Sequence, residues 1–187
     1  MTDEELMDAY AAGSLAAFDS LFARLAPRVH AFFVRSFGDV ALADDLLQVT
    51  FMKLHRARAD YRSGSPLRSW LFSIAARVRL DELRRRRRLR EDVDAETVER
   101  MADGETGGPE VASDRADVAT AVRAAVGRLP EGQRVVVHLH RIEGLSFGDI
   151  ARMLGTTEAA VRQRAFRGYI ALRKDLAPLV AAREGVA

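Results

Sequence analysis

The sequence predicts an all-α protein in which two small helical domains are joined by a flexible acidic linker. Apolar residues recur at helical spacing in both halves of the chain. The signals of β-structure, which are alternating β-branched residues with Asn-Gly turns, are missing. The acidic segment between the halves has few large apolar side chains, so it cannot bury enough surface to fold alone. We therefore predict domains at residues 1–90 and 118–178, a linker at 91–117 and a tail at 179–187.

The first domain is predicted to begin with three helices. Gly13 and Ser14 separate the first two, and Pro27 is expected to break or bend the second. The third helix covers residues 40–58. Its core-facing residues form the narrow stripe of an amphipathic helix: Ala43, Leu47, Phe51 and Leu54.

The opposite face of this third helix mixes polar and apolar side chains: Asp45, Gln48, Val49, Met52 and Arg56. A fully solvated face would be polar throughout, and Val49 and Met52 interrupt it. An apolar centre with a polar rim is typical of a surface that binds a partner protein. Because isolated exposed apolar residues are also common on ordinary surfaces, the pattern alone leaves both interpretations open.

The fourth helix is predicted to start with Ser65 as its N-cap and Pro66 in its first position. It runs into five consecutive arginines, Arg84 to Arg88. Ion pairs at helical spacing are expected to support it: Asp81 with Arg77 and Arg85, and Glu82 with Arg86. We therefore interpret the arginine run as the end of a helix rather than as a tail or a targeting signal.

Trp70 shares one side of this helix with three arginines: Arg77, Arg84 and Arg88. A tryptophan beside a basic stripe is typical of a surface that stacks on nucleic-acid bases. Burial in a core is the more common role of a lone tryptophan, so Trp70 alone does not decide between a nucleic-acid surface and a core position. The arginines are predicted to hold phosphates, which supplies affinity more than sequence choice.

The second domain is predicted to contain four helices: residues 118–128, residues 130–142, and two shorter helices joined at Gly155. Ser146 and Asp149 are spaced as a capping pair for the third of them. Gly155 permits the left-handed conformation that ends a helix, and Thr157 can cap the next one. Val161 is spaced to pack back on the preceding helix. This order of residues predicts a helix-turn-helix.

The last helix carries Arg162, Gln163, Arg164 and Arg167. Arginine and glutamine are the residue types that read guanine and adenine edges, while other arginines hold phosphates. We predict that this helix binds DNA. The alternative is an ordinary helical hairpin with a solvated basic face.

Charge is distributed in blocks that suggest a polyanionic partner. Residues 1–90 and 118–187 each carry a net charge of +5, and residues 91–117 carry −8.

Cysteine is absent, which excludes disulfides and thiol catalysis and suits a cytoplasmic protein. No apolar run is long enough to cross a membrane, and the acidic N-terminus does not look like a secretory signal. Nothing in the sequence predicts a homo-oligomer.

The sequence offers no catalytic constellation. His138 and His140 resemble a chelate, but residues two apart on a helix point about 200° away from each other and cannot share one metal. Asp44 and Asp45 are about 100° apart, which is poor geometry for a paired-carboxylate site. No nucleophile motif or glycine-rich phosphate loop occurs. We therefore expect no enzyme activity, no metal and no cofactor.

Two strings in the chain resemble a known family. "ADDLLQVTFMKLHRA" with "YRSGSPLRSWLFSIAARVRLDELRRRRR" is similar to region 2 of bacterial sigma factors. "LPEGQRVVVHLHRIEGLSFGDIARMLGTTEAAVRQRAFRGYIALRK" is similar to their region 4. With little else between the two, the chain resembles the extracytoplasmic-function group of the sigma-70 family.

The resemblance implies a promoter-specificity factor that binds core RNA polymerase and promoter DNA. In this family region 2 docks on the clamp helices of the largest polymerase subunit and melts the −10 element, and region 4 reads the −35 element. The implied polymerase contacts are Asp45, Gln48, Val49 and Met52. The implied −10 contacts are Tyr61, Arg62, Ser63, Ser65, Trp70 and Arg77, next to the phosphate-binding Arg84 and Arg88. The implied −35 contacts are Thr156, Thr157, Arg162, Gln163, Arg164 and Arg167.

Four sites depart from the family pattern. Val49 replaces a usual acid, Arg77 a frequent asparagine, Gln163 a usual serine, and Ala159-Ala160 a frequent Gly-Thr pair. An anti-sigma factor is a further partner to test.

Two other functions compete with a sigma factor: a mimic that sequesters an anti-sigma factor without binding DNA, and an independent repressor or activator. The retained arginines of the last helix argue against the mimic. The surface around Gln48 and the whole first domain argue against the independent regulator.

Overall fold

The computed structural model describes residues 1–94 and 114–184, and in these residues all regular structure is helical. The described residues divide into two compact units, the first with α1–α4 and the second with α5–α8. The helices of the first unit are α1 (Asp3–Ala11), α2 (Leu15–Phe37), α3 (Val40–Ala57) and α4 (Leu67–Asp94). Those of the second are α5 (Asp114–Arg128), α6 (Glu131–Val137), α7 (Phe147–Leu154) and α8 (Glu158–Glu184). The all-α prediction is confirmed.

The first unit is built around α2, which packs against α1 and α3, while α3 also packs against α4. Its core is a set of large side chains at 2% exposure or less: Met7, Leu21, Leu25, Phe32, Phe33, Leu54, Leu67, Leu71 and Phe72. Each contributes about 1.5–3 kcal/mol when it is removed from water. This core anchors both ends of the loop between α3 and α4. The loop begins with a 3-10 turn at Arg58–Asp60.

Three details of the first unit correct the sequence predictions. Of the predicted break or bend at Pro27, the break is wrong, because α2 is continuous across this residue. A helix can absorb one missing N–H donor where burial of both neighbouring turns stabilises it. The predicted Ser65 cap is also wrong, because α4 begins at Leu67 and the Pro66 carbonyl accepts its first hydrogen bond, from Trp70 N at 3.2 Å. In α3 the predicted Leu47 is only half-buried, and Leu46 is buried instead.

The arginine run lies within α4, as predicted, but its ion pairs differ. Asp81 is 3.3 Å from Lys53 of α3 and 3.6 Å from Arg84, rather than paired with Arg77 and Arg85. Glu82, only 6% exposed, accepts hydrogen bonds from both Arg85 and Arg86. Arg85 turns to Glu82 because a carboxylate sheltered from water attracts a guanidinium more strongly than an exposed one does.

In the second unit α8 packs against α5, α6 and α7. A π-helical turn, His138–Ile142, continues α6, with Glu143 N donating to His138 O. The buried side chains include Val135, Val136, Leu139, Ile150 and Val161. The last helix is not short as predicted but 27 residues long.

Three helices extend past the predicted domain bounds. α4 and α5 extend into the predicted linker, to Asp94 and from Asp114, and α8 extends through most of the predicted tail. The rest of the linker, residues 95–113, and residues 185–187 lie outside the described residues, so the prediction of a flexible linker stays a prediction. Among the described helices, none combines the length and hydropathy that a membrane span requires.

Candidate nucleic-acid and polymerase interfaces

The loop between α3 and α4 forms a tight turn. Ser65 N donates to Arg62 O at 3.0 Å, and Gly64 has a φ of 78°. A positive φ at the third turn position is typical of a type II turn and favours glycine. Arg62 and Ser63 are exposed at the tip, while Ser65 is half-buried. The loop therefore presents a short polar edge to solvent.

Tyr61 supports this loop from inside, unlike the other predicted −10 residues around it. It is 9% exposed, its hydroxyl donates to Ser65 O, and its ring centroid lies 5.2 Å from that of Trp70. Burial raises the pKa of Tyr61, and the negative charges of Glu4 and Asp8 raise it further. The neutral phenol can therefore keep its hydrogen bond at any physiological pH, and Tyr61 shapes the loop rather than forming its exposed edge.

Helix α1 approaches the same loop, which the sequence did not predict. The Ser63 hydroxyl donates to Asp8 Oδ2 at 2.7 Å, and Leu67 N donates to Glu4 Oε1 at 3.2 Å. Arg68 also lies 3.9 Å from Asp3. The only signal in the sequence is the acidic start of the chain, and nothing in helical periodicity connects it with residues about sixty positions away.

A stripe of exposed basic residues continues along α4 from the loop. Trp70 is half-buried at its start, and Arg77, Arg84 and Arg88 are exposed. We call these three arginines the basic stripe. Arg84 has a neighbour in Asp81, but the pair is exposed, so it gains little energy and leaves the arginine able to exchange partners.

The outer face of α3 carries the predicted polymerase contacts together. Asp45 and Gln48 are exposed, and Val49 and Met52 retain 39% and 54% exposure. Because α3 buries its other side, on Ala43, Phe51 and Leu54, these four residues form one continuous surface. We call this surface the α3 outer face.

The predicted helix-turn-helix is confirmed in its local geometry. Asp149 N donates to Ser146 Oγ at 3.0 Å, and Ala160 N donates to Thr157 Oγ1 at 3.2 Å, so both helices are capped as expected. Gly155 has a φ of 62° and ends α7. Val161 is fully buried, as its predicted packing on the preceding helix requires.

The first turns of α8 place the predicted −35 residues around its exposed side. Val161, Ala165 and Gly168 are buried and define the inner side of the helix. Since successive residues are about 100° apart, Gln163 lies opposite that side, and Arg162 and Arg164 flank it. Arg167 is exposed one turn after Gln163. At the helix start, Thr157 is exposed and Thr156 half-buried.

The three arginines of α8 differ in their surroundings. The Arg162 guanidinium is hydrogen-bonded to Glu158, with Nε 2.9 Å from Oε1, and lies 5.0 Å from the centroid of the Phe147 ring. No ion pair holds Arg164 or Arg167 among the described residues. Arg162 is therefore pre-oriented, and the other two keep their charge available to an anion.

The two histidines of the "HLH" string make separate contacts. His138 is 2% exposed, and its Nε2 lies 3.3 Å from Glu143 Oε1. His140 Nδ1 lies 2.8 Å from Leu145 O, and its ring stacks on Phe147 at 4.0 Å. Across residues 1–94 and 114–184, no cluster of three or more metal-binding side chains occurs.

Comparison with known families gives two matches that together span most of the chain. The model described as Sigma-70 region 2 matches residues 21–89, and the one described as Sigma-70, region 4 matches residues 119–172. RNA polymerase sigma factor CarQ of Myxococcus xanthus is 36% identical over 178 residues, covering 92% of this chain and 97% of CarQ. ECF RNA polymerase sigma factor SigM of Mycobacterium tuberculosis (strain H37Rv) is 33% identical, covering 94% and 85%.

Two solved structures are also similar. Sigma factor RpoE of Bartonella quintana, in complex with the anti-sigma factor NepR, has a TM-score of 0.65 and 24% identity, covering 85% of this chain and 96% of that one. This similarity shows the fold alone. CnrH in complex with the cytosolic domain of CnrY has a TM-score of 0.58 and 27% identity, covering 96% and 97%.

Proposed function

The chain belongs to the extracytoplasmic-function group of the sigma-70 family, and from this premise we propose which of its surfaces carry the steps of promoter recognition. It is an RNA polymerase sigma factor and not an enzyme. It acts by directing core polymerase to promoters.

The 61–65 loop captures an unstacked base of the −10 element. Unstacking a base costs a few kcal/mol, and a pocket that binds the flipped base offsets that cost. The exposed Arg62 and Ser63 provide hydrogen-bonding groups at the tip, and Tyr61 keeps the turn in shape. Trp70 borders the loop and can stack on the neighbouring base that stays behind.

The basic stripe binds the phosphates of the DNA strand that is unpaired at the −10 element. Arg77, Arg84 and Arg88 lie on the Trp70 side of α4 and are exposed, so their charges follow the helix away from the loop. Contacts between arginine and phosphate supply salt-dependent affinity without reading sequence. This arrangement, an exposed polar turn next to a basic stripe, is the observation that carries the −10 assignment.

The α3 outer face binds the clamp helices of the largest polymerase subunit. Val49 and Met52 form its apolar centre and Asp45 and Gln48 its polar rim. Such a composition suits a protein interface better than a nucleic-acid interface, which would be basic.

The start of α8 reads the −35 element in duplex DNA. Gln163 occupies the centre of the exposed side and is the base-reading candidate, because glutamine can pair with both edge atoms of adenine. Arg162, Arg164 and Arg167 surround it and contact phosphates or guanine edges. Thr156 and Thr157 lie at the helix start, where hydroxyl and N–H groups can bind a phosphate.

We also propose an anti-sigma partner and a cytoplasmic location for this chain. One of the two similar structures is a complex of the sigma factor RpoE with the anti-sigma factor NepR, and the other is CnrH in complex with the cytosolic domain of CnrY. A sigma factor that binds such a protein would be withheld from polymerase until a signal separates them. Affinity capture of the chain from its own cells, followed by identification of stoichiometric partners, tests this part.

The central experiment is reconstitution with core RNA polymerase on a fragmented genomic library, followed by sequencing of run-off transcripts. We expect a set of start sites that depends on the added chain and shares two sequence elements. No chain-dependent start site, with core binding intact, would contradict promoter recognition and favour the mimic that sequesters an anti-sigma factor.

A further inference from the structure

Helix α1 contacts the 61–65 loop and the first residue of α4 through two carboxylates. The Ser63 hydroxyl donates to Asp8 Oδ2 at 2.7 Å, across 55 residues of sequence. The Leu67 N–H donates to Glu4 Oε1 at 3.2 Å, across 63 residues. These contacts come from the tertiary fold and not from the local geometry of the turn. The loop is therefore held by a helix that no motif assigns to it.

α1 is itself firmly positioned. Leu6, Met7 and Tyr10 are buried against the rest of the unit. The Tyr10 hydroxyl is hydrogen-bonded to His55 Nδ1 of α3. The first turn of α1 carries a complete capping box between Thr2 and Glu5. A carboxylate on such an element keeps its place relative to the loop.

We propose that Asp8 is a positioning residue for capture of the −10 base, acting through the Ser63 hydroxyl. The inference rests on the proposed function, in which this loop binds the unstacked base. A serine hydroxyl has one proton to donate and two lone pairs to accept with. An ionised carboxylate only accepts, so Asp8 takes that proton. Ser63 is then left as an acceptor toward solvent, and it favours a base that offers an N–H group there.

Glu4 performs a related task at the other end of the loop. The first N–H groups of a helix have no partner within the helix, and Leu67 N is one of them in α4. Because Ser65 does not cap it, the carboxylate from α1 does. The exit of the loop and the start of α4 are thus fixed to the same helix that holds Ser63.

The test compares Asp8→Ala, Ser63→Ala and the double variant in reconstituted holoenzyme. Templates keep a promoter chosen by the wild-type chain and randomise its −10 element, and run-off sequencing ranks the bases. We expect each single variant to reduce discrimination at one −10 position by about tenfold, the effect of losing one hydrogen bond between Ser63 and the base. The double variant should lose no more than Ser63→Ala does, since Asp8 acts through Ser63.

Two further variants separate positioning from loss of structure. Asp8→Asn keeps an acceptor oxygen next to Ser63, and we expect it to retain the wild-type ranking within about threefold. Glu5→Ala disrupts the cap of the same helix without touching the loop, and its ranking should be that of the wild type. Core binding and the helical circular dichroism signal are measured for every variant.

The outcomes distinguish a failure of the Asp8 inference from a failure of the proposed base capture by the 61–65 loop. If Ser63→Ala changes the ranking and Asp8→Ala does not, Asp8 has no positioning role, and the loop assignment stands. If neither Ser63→Ala nor Arg62→Ala changes the ranking at any −10 position, the loop does not capture the base, and both ideas are wrong. If Glu5→Ala acts like Asp8→Ala, the effect is structural and the inference is overturned.

Discussion

Gly168 of α8 lies directly against Val137 of α6. A Cβ added at Gly168 would stand 2.8 Å from Val137 Cγ2, which is closer than non-bonded carbon atoms pack. The residue is a glycine because the two helices need this contact, and its φ is ordinary for a helix. The contact sets the approach of α8, with its exposed Gln163 and flanking arginines, to the rest of the second unit.

We therefore predict that Gly168→Ala destabilises the second unit. Alanine gains about 1 kcal/mol of helix propensity over glycine, but overpacking costs about 1–3 kcal/mol, so the net change is expected to be unfavourable. Hydrogen exchange should become faster in α6 and α8. Gly127→Ala is the matched control, because Gly127 is helical with no atom within 4 Å of its added Cβ, and it should be neutral or stabilising. Slower exchange in Gly168→Ala than in the wild type would contradict the packing argument.

A second prediction concerns Glu82 and pH. The hydrogen bond from Arg85 lowers the pKa of Glu82 below its ordinary value of 4.5, and the one from Arg86 lowers it further, although burial acts in the opposite direction. A carboxyl group with a depressed pKa in the folded state stabilises the fold above its unfolded pKa and loses that effect as pH falls through the folded pKa. The contribution should be complete above about pH 4.5 and decline below it.

Glu82→Gln should thus lower the free energy of unfolding by about 1 kcal/mol at pH 7, and the difference from the wild type should shrink below pH 4.5. Trp70 is the single tryptophan of the chain and lies in α4, so its fluorescence in urea reports on this unit. Asp81→Asn serves as the control, since Asp81 is 57% exposed and its pairs should contribute little. A pH-independent difference for Glu82→Gln would exclude linkage to this carboxyl group.

A third prediction tests the α3 outer face. Met52→Asp places a charge at the centre of the proposed polymerase interface, where burying it without a partner is costly. We expect affinity for core polymerase to fall at least tenfold, measured by fluorescence anisotropy of the labelled chain. Val40→Asp is the matched control, because Val40 is 59% exposed on the same helix but on another side. Equal losses for both variants would show that the effect is not specific to this face.

The sequence was sufficient where local rules decide the structure. Helix periodicity, the capping groups of Ser146 and Thr157, and the positive φ of Gly155 all act within a few residues, and these predictions are confirmed. The exposure of Val49 and Met52 also followed from the wheel of a single helix.

The errors arise where distant parts of the chain meet. The cap of α4 comes from Glu4 rather than Ser65, and the partner of Asp81 on α3 is Lys53, and neither can be read from spacing along one helix. Likewise, the burial of Tyr61, which contacts Trp70 and Ser65, depends on the fold and cannot be predicted from its place in the loop. Pro27 was expected to break or bend a helix by its intrinsic propensity; the helix continues across it because packing on both sides overrides the tendency to break.

The last prediction distinguishes residues of α8 that read DNA bases from residues that bind phosphates. Gln163 lies opposite the buried side of the helix, whereas Arg164 lies at its flank with no ion pair among the described residues. Gln163→Ala should relax base preference at one −35 position by about 1–3 kcal/mol and leave the salt dependence of binding unchanged. Arg164→Ala should weaken binding to all sequences alike and reduce the slope of log affinity against log salt by about 1.

Holoenzyme binding to −35 variants, measured between low and moderate salt, distinguishes these effects. Arg173→Ala is the control for a lost positive charge, since Arg173 is exposed on α8 more than two turns beyond Arg164 and should change neither quantity. Core polymerase affinity should be the same for all three variants. Loss of core binding in Arg164→Ala would contradict the −35 assignment. A residue that contacts only promoter phosphates should not affect binding to core polymerase, which precedes DNA binding.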